Sequence, residues 1–137
     1  MNETKEKVIL KEIRQVVETG YAMLTECNGE AFYDLFMGNA SVIMDGNLVP
    51  SWQEHKQTGT TFLSSLKKAC YTMGELKIEI LNVETALALG NFEYEFVDSQ
   101  DIPTRGKGIQ TWVLIRRVDD WKVAHSHVSG EYRGAKS

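Results

Sequence analysis

The stretch GKGIQTWVLIRRVDDWKVAHSHVSG, residues 106–130, holds two strand-like runs joined through Asp119 and Asp120. Alternating polarity with β-branched and aromatic residues is typical of strands, because successive side chains point to opposite faces of a sheet. So short a connection forces the two strands to pair antiparallel. The stretch therefore predicts a long hairpin, and its closing histidines, His125 and His127, raise the question of a functional site.

Earlier segments also predict strands. The segment ASVIMDGNLVP, residues 40–50, predicts a small hairpin, because Asp45 and Gly46 form a common turn pair and Pro50 stops the second arm. From Leu76 onward apolar residues alternate with polar ones, which predicts two further strands. Their apolar positions are Leu76, Ile78 and Ile80, then Phe92, Tyr94 and Phe96.

Three helices are predicted in the first half of the chain. The first is amphipathic, because apolar or small residues recur at helical spacing: Ile9, Ile13, Val16, Gly20 and Leu24. A short second helix is predicted within residues 27–36, where Asn28 can cap it. Phe32, Leu35 and Phe36 are its expected buried residues. The segment SWQE, residues 51–54, has capping-box spacing and predicts the start of a third helix, whose middle is weakened by TGTT.

Helices followed by a long antiparallel sheet predict an α+β fold. The helices are expected to cover one face of a strongly curved sheet, which leaves a cone-shaped pocket between the two layers. A chain of 137 residues fits one hydrophobic core. We therefore expect residues 1–137 to form a single domain.

Composition excludes several classes of partner. The 15 basic and 19 acidic residues give a net charge of −4, which offers no attraction to nucleic acid or to an anionic membrane. No apolar run approaches the roughly 20 residues that span a bilayer, and the N-terminus does not resemble a secretory signal. Cys27 and Cys70 lack CxxC spacing and predict reduced thiols. We therefore expect a soluble, cytoplasmic protein.

The closing WKVAHSHVSG, with GNLV at residues 46–49 and IP at 102–103, resembles the nuclear transport factor 2-like superfamily. Within it, the association domain of calcium/calmodulin-dependent protein kinase II and its SnoaL-like relatives are most similar. The resemblance runs from the first helix to about Gly130. It implies a cone-shaped fold with three N-terminal helices packed on a strongly curved, mostly antiparallel sheet. Because the chain starts at the first helix, we expect a stand-alone domain with no kinase segment before it.

The resemblance also implies a pocket. In the kinase association domain the pocket resembles an anion site, with three arginines on strands and a histidine at the start of the third helix. The histidine position is His55 here, whereas the arginine positions fall on Phe92, Trp112 and Val128. These side chains offer apolar area and π faces instead of guanidinium donors. We therefore expect an apolar, aromatic pocket that binds a small hydrophobic or planar ligand. Its expected rim residues are Trp52, His55 and Tyr94.

The two closing histidines are expected to point away from this pocket. If Val128 faces the pocket, His125 and His127 face the outer side of the sheet, which in this superfamily commonly meets a second subunit. In an ideal strand, Trp121 and Val123 would share the histidine face. A structural role is favoured over an interface switch or catalysis. An H-x-H pair names no third zinc ligand, so no metal site is predicted.

An enzymatic interpretation depends on Tyr21 and Asp45. They lie near the places of the first-helix tyrosine and the early-strand aspartate of ketosteroid isomerase, another member of the superfamily. There the carboxylate removes a proton beside a carbonyl and the tyrosine stabilises the oxyanion. The later protonated acid of that enzyme has no counterpart here. Turn chemistry alone explains Asp45, and Tyr21 also fits a core position. His55, with an unperturbed pKa of about 6.5, is a further donor.

The favoured hypothesis is a stand-alone, self-associating domain that binds a small molecule and lacks a complete catalytic set. Its assembly would be at least a dimer through the outer sheet face. The alternative is an isomerase or cyclase of the SnoaL or ketosteroid isomerase type, with Asp45 as general base and Tyr21 or His55 as oxyanion donor. If the protein is an enzyme, we expect a cofactor-independent isomerase, cyclase or dehydratase. A third hypothesis is a protein-interaction module similar to nuclear transport factor 2. No cofactor, metal, nucleic acid or membrane partner is expected.

Overall fold

The computed structural model describes the backbone of residues 2–134 and the side chains of residues 2–130, so the predicted domain limits at 1 and 137 lie outside it. Its helices and strands follow this order: α1 (Glu3–Thr25), α2 (Gly29–Tyr33), β1 (Phe36–Met44), β2 (Asn47–Leu48), α3 (Trp52–Ser64), β3 (Lys68–Asn82), β4 (Thr85–Val97), β5 (Pro103–Arg117) and β6 (Asp120–Gly134). None of these helices combines the length and the apolar character that crossing a membrane requires.

The strands form one six-stranded sheet in the order β2-β1-β6-β5-β4-β3. Neighbouring strands pair antiparallel, except that β1 and β6 are parallel. β6, which carries the two histidines, therefore lies inside the sheet between β1 and β5. The predicted α+β class, with helices packed on a curved and mostly antiparallel sheet, is confirmed.

The first helix packs one apolar stripe on the inner face of the sheet. Asn2 caps its start, since the Asn2 side chain accepts a hydrogen bond of 2.8 Å from the Lys5 amide. At one end of the sheet the indole N–H of Trp121 donates to a carboxylate oxygen of Glu12 at 3.3 Å. The buried stripe repeats every three to four positions and consists of Ile9, Ile13, Val17, Gly20 and Tyr21. The predicted amphipathic character of the first helix is therefore confirmed.

The structure corrects the predicted start of β3. The strand begins at Lys68 and not at Leu76, because a bulge at Gly74 and Glu75 interrupts the alternation that identifies a strand in the sequence. The side chain of Asn91 on β4 accepts a hydrogen bond of 2.6 Å from the Glu75 amide. A side chain thus replaces a ladder bond at the bulge.

A second bulge determines which side chains of β6 face the helices. Ala124 has no residue opposite it on β5, and the pairing register shifts there. One extra residue reverses the alternation of faces. Trp121 and Val123 are therefore buried before the bulge, and Ser126 is buried after it. The prediction that Trp121 and Val123 share a face with the histidines is wrong for this reason.

The two shorter helices pack closely through glycines. α2 ends at Tyr33, earlier than predicted, and Phe36 begins β1. A Cβ at Gly29 would lie 2.8 Å from the Cα of Thr60. A Cβ at Gly59 would overlap the hydroxyl of Tyr33. The glycine of TGTT therefore does not end α3, but makes room for the Tyr33 ring.

Gly59→Ala should destabilise the protein by about 1–3 kcal/mol, because the added methyl group overpacks against Tyr33. In an open helix the same change would stabilise by about 1 kcal/mol. Urea unfolding measures the difference. Gly38→Ala is the matched control, since no atom lies within 4 Å of a Cβ built there, and it should cost nothing. A Gly59→Ala protein more stable than wild type would contradict this packing.

Candidate functional site

A small cavity lies between α1 and the inner face of the sheet. Its volume is about 10 Å³, which is room for roughly one water molecule. The lining residues are Val17, Tyr21, Met73, Leu76, Ala88, Gly90, Gln110 and Trp112. Tyr21 brings a hydroxyl and Gln110 a carboxamide to this lining.

Tyr21 and Gln110 form the polar feature of the cavity. The Tyr21 hydroxyl donates to the side-chain oxygen of Gln110 at 3.3 Å. The Tyr21 side chain is buried, and its ring centroid lies 5.9 Å from that of Phe92. Burial raises the pKa of Tyr21 well above its usual range, so the hydroxyl stays protonated and remains a donor at neutral pH. Such a pair can recognise one polar group on an otherwise apolar ligand.

Trp112 connects this cavity to the rest of the core. Its side chain is only 2% exposed. A Cβ at Gly20 would lie 3.0 Å from the edge of the indole, so the glycine allows the ring to approach α1. On another side the indole meets Phe36 edge-on at 5.5 Å between centroids. One residue therefore contacts both the cavity and the aromatic side chains near α3.

The start of α3 carries an aromatic cluster formed by Tyr33, Phe36, Trp52 and His55. Ser51 caps the helix by accepting from the Glu54 amide at 3.2 Å, as the capping-box spacing predicts, which places Trp52 and His55 in the first turns. The ring centroids are 5.0 Å apart for Phe36 and Trp52, 5.8 Å for Tyr33 and Trp52, and 5.7 Å for Tyr33 and His55. Two of the expected rim residues therefore pack against other rings.

His55 is half-buried in this cluster. Burial lowers the pKa of its imidazole below the usual value. The ring is therefore neutral at neutral pH and carries one N–H donor. Burial raises the pKa of its neighbour Tyr33 to about 12, so that hydroxyl is also protonated.

The six predicted pocket residues separate into two groups. Trp52 and His55 belong to the aromatic cluster at α3. Phe92 on β4 is buried beside Tyr21, and the ring of Tyr94 lies next to that of Phe92, with 6.1 Å between their centroids. Trp112 lies between the groups, and Val128 is a partly buried residue packed on the same core. Their role in binding stays a prediction.

Asp45 occupies the turn between β1 and β2. Its φ of 50° and the φ of 82° at Gly46 place both residues in the left-handed region, as a hairpin turn of this kind requires. A carboxylate oxygen of Asp45 accepts from the Gly130 amide at 2.7 Å, and its own amide donates to the Val128 carbonyl at 2.8 Å. The carboxylate thus binds the backbone of β6. This geometry favours the turn interpretation, and catalysis by Asp45 stays a prediction.

His125 and His127 lie on the outer face of the sheet. The Nδ1 atom of His125 is 2.6 Å from the hydroxyl oxygen of Ser41 on the neighbouring strand. His127 is exposed. Among the described side chains, those of residues 2–130, no group of three or more His, Cys, Asp or Glu is arranged to hold a metal ion.

Sequence reasoning missed two residues of the interior, Gln110 and Tyr33. Gln110 could have been recognised, because it lies two positions before Trp112 in an alternating strand and is thus a polar residue in the inward register. The contact of Tyr33 with α3 has no comparable signal, since it joins residues of two different helices.

His55→Gln tests the burial of the imidazole. The folded protein binds a proton at His55 less readily than the unfolded chain, whose histidine titrates near about pH 6.5. The stability that the neutral ring provides is complete above that pH and is lost as the pH falls toward the folded pKa. Urea unfolding should therefore show that a change from about pH 7.5 to about pH 5.5 lowers the free energy of unfolding more for wild type than for His55→Gln. Equal losses would mean that the ring is solvated.

Comparisons with known proteins agree with this architecture. A family model described as SnoaL-like domain matches residues 13–132. The search of curated proteins gave no match. Similar solved structures include a Novosphingobium aromaticivorans protein assigned as a scytalone dehydratase, with a TM-score of 0.87 and 11% identity over 97% of this chain and 91% of that chain.

Two further structures are similar in fold. A Xanthomonas campestris protein assigned as a calcium/calmodulin-dependent protein kinase II association domain has a TM-score of 0.74 and 17% identity over 88% of this chain and 86% of that chain. The type 3 hexachlorocyclohexane dehydrochlorinase LinA of Novosphingobium barchaimii has a TM-score of 0.76 and 10% identity over 96% of this chain and 91% of that chain. The resemblance predicted from the sequence is confirmed, and because the family model covers most of the chain, the protein belongs to the SnoaL-like domain family.

Proposed function

We propose that the protein binds a small hydrophobic or planar ligand between α1 and the inner face of the sheet. The observation that carries this proposal is the Tyr21–Gln110 hydrogen bond, which lies among apolar and aromatic side chains. A buried polar pair of this kind orients a ligand, while the apolar walls supply most of the binding free energy. The ligand class is therefore an apolar molecule with one hydroxyl or carbonyl group.

The ligand must enlarge the cavity, because a volume of about 10 Å³ holds no organic molecule. Met73 and Leu76 are the lining side chains that flank the bulge of β3, and both are only half-buried. Methionine adapts to irregular spaces because it is unbranched and flexible. β3 is also an edge strand with an interrupted ladder. We therefore assign the opening of the site to this segment.

1-Naphthol and naphthalene form a matched pair of probes. Wild type should bind 1-naphthol about five- to tenfold more tightly than naphthalene, because one hydrogen bond contributes about 1 kcal/mol. The double variant Tyr21→Phe with Gln110→Leu should bind both compounds equally, since it removes both polar partners and leaves none unpaired. Isothermal titration or NMR shift titration measures the four affinities.

Gln100→Leu is the matched control, because Gln100 is exposed in the loop before β5. It should keep the preference for 1-naphthol. Met73→Ala should tighten the binding of both compounds, because it adds space to the cavity. An undiminished preference in the double variant would place the ligand elsewhere.

A second function, catalysis, is supported by the descriptions of two similar structures, which name a dehydratase and a dehydrochlorinase. In this alternative the protein is a cofactor-independent isomerase, cyclase or dehydratase. Asp45 would act as general base, and Tyr21 or His55 would donate to the oxyanion. Burial keeps Tyr21 protonated and His55 neutral, which are states that donate a hydrogen bond.

Asp45→Asn distinguishes a catalytic role of Asp45 from its structural role in the turn between β1 and β2. Asparagine also accepts left-handed backbone angles and can accept the hydrogen bond from the Gly130 amide, so the fold should be retained. If Asp45 is the base, Asn at this position abolishes exchange of the protons beside the carbonyl of 2-tetralone in deuterium oxide, measured by NMR, and leaves 2-tetralone binding unchanged. An exchange rate equal to that of wild type would remove Asp45 from any mechanism.

We further propose that the chain self-associates through the outer sheet face, at least as a dimer. Four residues of β4 and β5, here called the outer apolar band, are Leu87, Leu89, Val113 and Ile115. They alternate with the buried inward residues of the same strands, so both faces are apolar there. Strands that are apolar on both faces are typical of sheets covered on both sides. The described helices cover only the inner face. The similar Xanthomonas structure is assigned as an association domain, which supports assembly.

The free thiols of Cys27 and Cys70 are consistent with the cytoplasmic location that we propose for the protein.

A further inference from the structure

A groove of about 490 Å³, here called the outer groove, lies on the outer sheet face and crosses four strands, from β3 to β6. A concavity of this size is within the usual range for small-molecule sites, about 300–1,000 Å³. The outer groove and the cavity beside Tyr21 lie on opposite sides of the sheet, and Met73 is the lining residue that they share. The groove walls come from side chains that alternate with inward-facing residues of the same strands: Thr72, Asn91, Glu93, Lys107, Ile109 and Ser129.

Two opposite charges stand side by side in the outer groove. Glu93 on β4 and Lys107 on β5 are directly opposite one another in the ladder, and both residues are exposed. The ion pairs among the described side chains involve other residues. Side chains at opposed positions of antiparallel strands have Cβ atoms about 4.5–5.5 Å apart. The groove therefore presents a carboxylate and an ammonium group at a separation that one small ligand can span.

Asn91 is held in place at the β3 side of the outer groove. A Cβ at Gly74 would overlap the side-chain oxygen of Asn91, so the glycine makes room for the carboxamide. That oxygen accepts the hydrogen bond of 2.6 Å from the Glu75 amide at the bulge. The NH₂ group of Asn91 takes no part in this bond and can donate to a carboxylate. The bulge therefore positions a polar side chain beside the two charges.

Ile109 adds an apolar surface to the same groove. Its side chain is 63% exposed, although it lies in the middle of β5. It is directly opposite Asn91 in the ladder, and it is two residues from Lys107 on the same face of the sheet. A ligand that covers Ile109 removes apolar area from water, which favours binding. The outer groove thus combines an apolar contact with a pair of opposite charges.

We propose that the outer groove binds a zwitterionic amino acid with an apolar side chain. Lys107 and Asn91 donate to the α-carboxylate of the ligand, and Glu93 accepts from its α-ammonium group. Ile109 packs against the apolar side chain. Glu93 repels a simple anion and Lys107 repels a simple cation, whereas a zwitterion meets the opposite charge at both ends. This ligand and this face differ from those of the cavity beside Tyr21, so the inference goes beyond the proposed function.

The outer groove and the outer apolar band occupy different parts of the same face. Ile109 is four residues before Val113 on β5, which is about 13 Å along an extended strand. On β4, Glu93 is four residues beyond Leu89. Assembly through the outer apolar band can therefore leave the groove open to a ligand.

Three ligands that differ in charge test the recognition. They are L-leucine, 4-methylpentanoate, which lacks the ammonium group, and 3-methylbutylamine, which lacks the carboxylate. On the full chain, L-leucine should bind at least about tenfold more tightly than either analogue, because each analogue loses a charge-assisted hydrogen bond and keeps a repulsion. Isothermal titration or NMR shift titration measures the three affinities. Equal affinities, or no saturable binding of L-leucine, would overturn the proposal.

Neutral substitutions assign each end of the ligand to its residue. Glu93→Gln should weaken L-leucine binding by about tenfold but strengthen 4-methylpentanoate binding, because the repulsion between two carboxylates is removed. Lys107→Gln should weaken L-leucine binding by about as much and strengthen 3-methylbutylamine binding instead. If either variant changed all three affinities in the same direction, the residue would have a structural role and the assignment would be wrong.

Lys77 and Glu79 provide the matched controls, because they form an ion pair of 3.1 Å on the same sheet and do not line the groove. Lys77→Gln and Glu79→Gln should each change the L-leucine affinity by less than about twofold. Circular dichroism checks that all four variants are folded. A control variant that weakened L-leucine binding as much as Glu93→Gln would place the ligand outside the groove.

Ile109→Ser tests the apolar contact. It should weaken L-leucine binding by about fivefold and leave glycine binding unchanged, because glycine has no side chain to pack against Ile109. The same titrations measure both affinities. An L-leucine affinity that Ile109→Ser leaves intact would contradict the proposed pose.

Competition distinguishes this site from the functions proposed above. L-leucine should not displace 1-naphthol, because the two ligands bind on opposite sides of the sheet, and displacement would overturn this inference. The L-leucine affinity should also be independent of protein concentration. An affinity that falls as sedimentation shows more dimer would mean that a second copy covers the groove, and would overturn it too. Binding of L-leucine with these preferences but no binding of 1-naphthol would support this inference and overturn the proposed ligand site alone.

Discussion

The packing of Trp112 against α1 is the contact on which the arrangement of helices and sheet depends. Its indole is almost fully buried and touches Gly20 on one side and Phe36 on the other. Burying a tryptophan is worth about 3–5 kcal/mol by truncation, whereas a glycine inside a helix costs about 1 kcal/mol. The helix therefore tolerates Gly20, because the closer approach of the ring stabilises the fold by more than the glycine destabilises it.

The same packing determines the character of the interior. Aromatic rings fill the space from α3 to Trp112, and the remaining volume lies beside Tyr21 and Gln110. A hydrogen bond in apolar surroundings is electrostatically stronger than in water, and its groups are costly to leave unpaired. In the proposed function, this pair favours a ligand that can offer its own polar group over one that cannot. Adaptation of the site is expected at β3, where the bulge leaves the ladder incomplete.

The sheet has two apolar faces in its central strands, and the described helices account for one of them. The core uses Ala88, Trp112 and Leu114 on the inner face, whereas the outer apolar band and Ile109 lie on the other. Both parts of the proposed function follow from this division. The inner face provides the cavity beside Tyr21 and Gln110, and the outer face carries the apolar band through which we propose self-association.

The sequence by itself determined the fold class, the hairpin at Asp45 and Gly46, the cap at Ser51 and the amphipathic first helix, because each depends on local spacing and local hydrogen bonds. Only the tertiary structure decided which side chains meet. The bulge at Ala124 moved Trp121 and Val123 to the inner face, and the partner of Tyr21 proved to be Gln110, 89 positions away. A bulge is a property of two paired strands, and a contact between distant residues is a property of the packed core. Periodicity along one strand reports neither, since it describes a side chain's direction only relative to its neighbours in the chain.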